Sequence, residues 1–225
     1  MAYLIIFLAG GFDAMFIRNS MIVWGDAAAT TNHIMASQLL WRVGIAGDLL
    51  MHVCDVVVMM VFYVLLRPVN RNLALLVVLF NVIQTAVLVA NKLNLLVPIL
   101  LFGSPEYQKM FEPQQLQALT YLCAEAHEHG FGIGLIFFGF ECLVLGHLIF
   151  KSGYLPRTIG ILMQIAGLSY LINSFTMLLA PTFANRIFPA ILLFAFPGEV
   201  SLCLWLLVKG VNITKWKEKS ARVNE

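Results

Sequence analysis

A polar stripe runs along the otherwise apolar stretch from Trp41 to Arg67, whose sequence is WRVGIAGDLLMHVCDVVVMMVFYVLLR. Asp48, His52 and Asp55 fall within roughly 60° of one another if this stretch is a helix, so they share one face. Carboxylate and imidazole groups at these spacings could ligate a metal ion, or they could form hydrogen bonds across a helix interface. We expect the hydrogen-bonded interface, and metal ligation by these three residues is the alternative.

The composition indicates which class of protein surrounds this stripe. Of the 225 residues, 60% are hydrophobic and 12% are charged, whereas a soluble domain is typically about 25% charged. The sequence therefore predicts an all-α polytopic membrane protein that has the lipid bilayer as its surroundings. A net charge of +2 gives no indication of nucleic-acid binding. The four cysteines include no CxxC pair, so we predict no disulfide framework.

Apolar runs separated by polar turns predict a bundle of six transmembrane helices. The predicted spans are residues 3–23, 42–66, 73–102, 130–150, 158–179 and 188–208. They form one integral membrane domain, 1–225, which ends in a basic tail at 210–225. The second and fourth helices are predicted to extend beyond the outer face, because the capping oxygens of residues 30–32 precede one and Pro113 precedes the other. The fourth helix contains four glycines, which have no side chain and would let a neighbouring helix approach closely: Gly130, Gly132, Gly134 and Gly139.

The distribution of basic residues predicts the orientation of these helices. Basic side chains are concentrated in the turn after the second helix, the turn after the fourth helix and the tail: Arg67, Arg71, Lys151, Arg157, Lys209, Lys215, Lys217, Lys219 and Arg222. The opposite face carries Arg18, Arg42, Lys109 and Arg186 together with most of the loop acids. Because basic loops stay on the cytoplasmic side, we predict that both termini are cytoplasmic. At the outer face we expect His127, Glu128 and His129 to be solvated.

Polar residues from five of the predicted spans reach membrane depth, where charged groups are costly and usually face a bundle interior or a water-filled cavity. A rise of about 1.5 Å per residue from each helix centre places several of them near the midplane: Asp13, His52, Asp55, Glu141 and Glu199. Asp48 and Lys92 fall in the outer half at similar depths, so we predict an ion pair between the second and third helices. Together these residues form the predicted intramembrane polar core, in which acids outnumber the one lysine.

The segment FFGFECLVLGHLIFKSGYLPRTIGILMQIAGLSYLI, residues 137–172, resembles a DUF4386-like family of bacterial integral-membrane proteins, a domain of unknown function. The stretches PGEVSLCLWLLVKG, LRPVN and RVGIAGDLL resemble the same family, so the likeness covers nearly the whole chain. The resemblance implies a multi-pass protein of the bacterial inner membrane and implies no activity. Glu141 stands where the family pattern has His, and the basic N-terminal segment usual in the family is absent here.

The sequence is compatible with three functions. The acid-rich polar core, together with a sixth helix that Pro197 interrupts beside Glu199, favours a carrier or channel for a small solute or a cation. An intramembrane metal-dependent lipid hydrolase is the first alternative, in which zinc would activate water, but His52 is its one midplane histidine. A non-catalytic structural or sensory membrane protein is the second. We lean against an enzyme, identify no catalytic residue, and expect no cofactor beyond the metal ion that the hydrolase would need.

Overall fold

The computed structural model describes Tyr3, Ile6 and residues 17–221, without the side chains of Asn185 and Leu192. Asp13 and most of the predicted span 3–23 lie outside the described residues. The elements of the described part are all helices, which confirms the predicted all-α class. In chain order they are α1 (Asn19–Met21), α2 (Ala27–Ala36), α3 (Gln38–Leu66), α4 (Arg71–Gly103), α5 (Pro105–Met110), α6 (Pro113–Ser152), α7 (Arg157–Leu179), α8 (Pro181–Ile187), a 3-10 helix (Ala190–Phe194), α9 (Phe196–Val208) and α10 (Ile213–Ala221).

Four of the described helices, α3, α4, α6 and α7, are long and apolar enough to cross a membrane. They contain the predicted intervals 42–66, 73–102, 130–150 and 158–179. Helices α9 and α10 are bent by 99° relative to each other and would add a fifth span if the two crossed together. The described residues therefore carry four or five candidate spans rather than the six predicted.

The predicted span 188–208, which we expected Pro197 to interrupt, consists of more than one helix in the structure. The 3-10 helix ends at Phe194, and α9 begins only at Phe196 and runs for 13 residues. Pro197 lies in the first turn of α9, where its missing N–H costs no hydrogen bond. A proline in a helix interior would instead remove a hydrogen bond and clash with the preceding turn, which favours the start of a new helix at this point. At about 20 Å, α9 is shorter than the hydrocarbon core of a bilayer.

The chain divides into two compact units. The first unit comprises Ala2–Asp55 and Val87–Phe131. Its helix α2 begins at Ala27, where the Asp26 side chain accepts a hydrogen bond from Ala29 N at 2.8 Å and caps the helix. The indole N–H of Trp41 donates to Leu95 O at 2.7 Å and joins α3 to α4. The apolar core around this bond consists of Ile17, Met21, Ile22, Ile34, Trp41, Ile45, Leu95, Ile99 and Ala124.

The second unit comprises Val56–Ala86 and Gly132–Glu225. Its helices α6 and α7 approach closely at Gly146, where an added Cβ would lie 2.5 Å from Gly160 O. Helix α9 approaches α7 in the same way, since a Cβ on Gly198 would lie 2.7 Å from Leu162 O. At the turn between α6 and α7, the Tyr154 hydroxyl donates to Leu65 O at 2.6 Å, and burial raises the pKa of Tyr154. Glycines thus let these helices pack backbone to backbone.

Candidate functional site

The candidate site lies in the first unit and draws side chains from four segments of it. Helix α3 carries Asp48 and His52 four residues apart, so both side chains lie on the same face. Lys92 comes from α4 and His127 from α6. Arg18 immediately precedes α1. Helices α3, α4 and α6 are continuous through these positions. The distance along α3 between Asp48 and His52 is therefore fixed by the rise of the helix.

Two cationic side chains converge on one carboxylate oxygen at the centre of this site. The ammonium of Lys92 donates a hydrogen bond to Asp48 Oδ2. Arg18 Nη2 lies 3.4 Å from the same oxygen. The side chains of Asp48 and Lys92 are only 2% and 5% exposed, so their charges are shielded very little by water. The ion pair predicted from helix depth is present, and it includes a second cation that the sequence did not indicate.

His127 connects the same arginine to α4. Arg18 Nη1 lies 2.8 Å from His127 Nε2, and because a guanidinium has only donors, Nε2 must accept this hydrogen bond. The ring proton is therefore assigned to Nδ1, which lies 3.4 Å from Asn91 O. In return, the Asn91 side chain donates to His127 O at 2.8 Å. The geometry makes His127 a neutral imidazole that holds Arg18 in place beside Asp48.

Asp48 and His52 on α3 have polar atoms that can form further hydrogen bonds. Asp48 Oδ1 and both ring nitrogens of His52 are buried, and none of them has a hydrogen-bond partner among the described residues. Buried polar atoms in native proteins nearly always have such a partner, supplied where necessary by ordered water or a ligand. A neutral imidazole offers one donor and one acceptor, and Asp48 Oδ1 offers an acceptor. The arrangement can therefore bind water or a small polar solute, and it can pass a proton.

The other described acids of the predicted polar core lie on α3, α6 and α9. In the second unit, Glu199 accepts a hydrogen bond from the Tyr170 hydroxyl, and the Tyr170 ring lies 5.1 Å from that of Phe138. Glu141 on α6 of this unit is fully buried. In the first unit, Asp55 is half-buried on α3. Tyr170 thus holds Glu199 at the start of α9, while Asp13 lies outside the described residues.

The three candidate metal ligands on α3 do not form a ligand set. Among the residues that the structure describes, no three His, Cys, Asp or Glu side chains come together as metal ligands would. Asp48 is engaged by two cations, whose repulsion would further disfavour a metal ion. Asp48, His52 and Asp55 therefore share one face of α3 without forming a three-ligand group.

One prediction about the outer face is wrong. His127, which we expected to be solvated, is fully buried, whereas His129 is exposed as expected. Arg18 contacts buried Asp48, and the sequence did not indicate this contact. A signal for His127 exists in the sequence, because the buried stripe of Leu116, Thr120 and Ala124 on α6 continues to it at helical spacing. No comparable periodicity marks Arg18 or Asn91.

The comparisons with known proteins identify the family of this chain. The sequence profile described as "Domain of unknown function (DUF4386)" matches residues 1–210. The chain belongs to the DUF4386 family. An "Uncharacterized protein" of Archaeoglobus fulgidus is 29% identical to this DUF4386 chain over 171 residues, which cover 76% of this chain and 86% of the archaeal protein. No solved structure matches. The function of the site is therefore inferred from its own geometry.

Proposed function

We propose that this DUF4386 protein is a membrane carrier or channel that moves protons, alone or together with a small polar solute. The proposal depends on one observation. Asp48 Oδ1 and the His52 ring nitrogens are buried on α3 without a hydrogen-bond partner among the described residues, next to the ion pairs of Asp48. Chains of acidic and histidine side chains at membrane depth are the usual components of proton relays. Because Arg18 and Lys92 already surround Asp48, a proton or a hydrogen-bonding solute suits this site better than a metal cation.

The proposal includes a membrane topology. We propose six spans in the bacterial cytoplasmic membrane with both termini in the cytoplasm, the first span covering residues 3–23 and the sixth formed around α9. Helix α6 has 40 residues and is about 60 Å long, twice the roughly 30 Å of a hydrocarbon core. This length supports an extension of α6 beyond the outer face. The start of α3 at Gln38, four residues before the predicted span, supports a similar extension there.

The proposal is tested by proton flux into liposomes that contain the purified full chain and a pH-sensitive dye. A potassium gradient with valinomycin sets the membrane potential, and the rate of internal acidification is measured alone and with a panel of small carboxylates, amines and neutral solutes outside. We expect acidification faster than in empty liposomes. His52→Gln should reduce the rate at least about tenfold, since it replaces the ring of the proton relay.

The exposed histidine of α6 provides a matched control for this measurement. His129→Gln makes the same chemical change outside the cluster and should leave the flux unchanged. Flux no faster than in empty liposomes under every condition would contradict the proposal. Equal flux for the wild type and His52→Gln would remove His52 from it.

A non-catalytic structural role is the second candidate, and one observation favours it. The hydrogen bonds and ion pairs of Arg18, Lys92 and His127 join the segment before α1 to α3, α4 and α6, which is what a buried structural network does. In that case substitution of Asp48 would lower stability, and no variant would change proton flux. The hydrolase has no comparable support, since the described residues contain no three-ligand set.

A further inference from the structure

Three basic segments meet at one end of the second unit. Helix α10 brings the tail to this end, because the Trp216 indole N–H donates to Leu65 O at 3.0 Å. Lys219 Nζ donates to Lys151 O at 2.7 Å and to Ser152 O at 3.2 Å, the final carbonyls of α6. The Asn212 N–H donates to Tyr154 O at 3.3 Å. The turn after α3, the turn after α6 and the tail therefore lie together.

This end of the second unit is strongly positive. The segments 67–71, 151–157 and 209–221 contain Glu218 as their one acid. Their basic residues are Arg67, Arg71, Lys151, Arg157, Lys209, Lys215, Lys217 and Lys219. Clusters of Lys and Arg at the ends of membrane helices attract anionic lipid head groups.

A cleft of about 330 Å³ opens within this positive end. Its polar lining comes from Asn70 in the turn before α4, His147 and Lys151 near the end of α6, and Lys219 on α10. An ammonium has three N–H donors, and Lys219 uses two of them on the α6 carbonyls, so the third can reach into the cleft. Two lysines, an amide and an imidazole are suitable ligands for a phosphate group.

An apolar groove lies beside the same helix. It has a volume of about 280 Å³ and is lined by Met60, Val61, Val64 and Leu65 of α3 and by Trp216. Because Trp216 and Lys219 are three residues apart on α10, they lie on one face of it. Helix α10 thus presents an aromatic ring to an apolar groove and an ammonium to a basic cleft. This is the pattern of a helix that lies in the membrane interface.

We propose that the cleft binds the phosphate of an anionic phospholipid head group, with one acyl chain along the groove beside Trp216. Lys151 and Lys219 bind the phosphate, and Asn70 and His147 complete its surroundings. The bend of 99° between α9 and α10 suits this arrangement, because it turns α10 away from the direction of α9. The bound lipid holds the tail helix on the bundle.

The experiment uses the full chain, purified in a neutral detergent and treated with phosphatidylglycerol, with phosphatidylcholine of the same acyl chains, or with inorganic phosphate. Lipid retention is measured by native mass spectrometry, and stabilisation is measured as the shift in unfolding temperature. We expect the chain to retain phosphatidylglycerol selectively and inorganic phosphate to leave the unfolding temperature unchanged. Lys151→Gln should weaken retention of phosphatidylglycerol about fivefold, and Lys151→Gln with Lys219→Gln roughly 20-fold.

Lys217→Gln is the matched control, because it removes an equal charge from α10 without lining the cleft. It should change retention less than about twofold if the cleft binds the lipid, whereas diffuse surface attraction would make it equal to Lys151→Gln. If the double variant fails to fold, Lys151→Gln alone decides. Equal retention of both lipids, undiminished retention by Lys151→Gln, or stabilisation by inorganic phosphate alone would each overturn the proposal.

Discussion

At the scale of single residues, two cationic side chains of the first unit balance the negative charge of buried Asp48. Lys92 and Arg18 both contact its Oδ2, and the side chain is 2% exposed. Removing charges from water costs several kcal/mol per ion, so a buried pair is stable only while both signs are present. His127 contributes indirectly, because its neutral ring holds the Arg18 guanidinium.

Asp48→Asn should therefore lower the free energy of unfolding by about 3 kcal/mol, because it leaves two buried cations facing an amide. Unfolding in detergent, followed by circular dichroism, measures the change. Adding Lys92→Met to Asp48→Asn should recover part of the loss, which a double-mutant cycle quantifies.

The exposed acid Glu106 on α5 provides the control for this prediction. Glu106→Gln removes the same charge from a solvated site and should change stability by less than about 0.5 kcal/mol. If Asp48→Asn costs no more than this control, the ion pair does not stabilise the fold.

At the scale of elements, the pairing of α6 with α7 depends on glycines spaced by seven residues. A Cβ on Gly146 would lie 2.5 Å from Gly160 O, and a Cβ on Gly167 would lie 2.6 Å from Gly139 O. Of the glycines named from the sequence, Gly139 takes part in this contact, while Gly130 makes room for the side chain of Asn91 in the first unit. Composition indicated close helix approach, but the partner helix had to be known to identify the contact.

Gly146→Ala should lower the unfolding temperature, because its Cβ would meet backbone atoms of α7 that cannot move aside without separating the helices. The expected cost is about 1–3 kcal/mol, measured by thermal unfolding in detergent.

The same substitution on α3 is the control. A Cβ on Gly47 would meet nothing within 4 Å, so Gly47→Ala should be neutral or stabilise the helix by up to about 1 kcal/mol. Equal effects of the two substitutions would show that α6 and α7 are not in close contact.

At the scale of the whole molecule, α6 is the helix whose two ends lie on opposite faces of the membrane in the proposed topology. Its first residue, Pro113, follows the short helix α5, and its last residue, Ser152, is capped by Lys219 of the basic tail. Because α6 is one continuous helix, its Pro113 end and its Ser152 end lie on opposite faces of the membrane if α6 crosses it. The basic residues gathered around α10 favour the cytoplasm for the Ser152 end.

Cysteine labelling tests this orientation in a chain whose four native cysteines are replaced by Ser. Gln108→Cys on α5 should react with a membrane-impermeant maleimide in intact bacterial cells, and Lys217→Cys on α10 should react only after permeabilisation. Both positions are exposed, so access to the reagent depends on the membrane alone. The cysteine-free chain measures background labelling, and the reverse pattern would contradict cytoplasmic termini.

Features that depend on local chemistry could be predicted from the amino-acid sequence alone. Long apolar runs predict α3, α4, α6 and α7, since hydropathy and helix length are local properties. The Asp48–Lys92 pair also followed, because a straight helix has a fixed rise per residue and depth can be counted along it. The break near Pro197 was indicated as well, although the sequence did not show that a separate helix begins there.

Which polar groups contact one another depends on how the helices pack, so these contacts could not be predicted from the sequence. Arg18 and His127 are far apart in the sequence and meet beside Asp48, and no periodicity in either segment encodes that contact. Likewise, Glu199 and Tyr170 form their hydrogen bond because α9 packs on α7, not because of their spacing. Burial of a side chain depends on the elements that pack around it. The polar stripe on α3 could therefore be predicted from the sequence of that helix, but the contact of Asp48 with Arg18 could not.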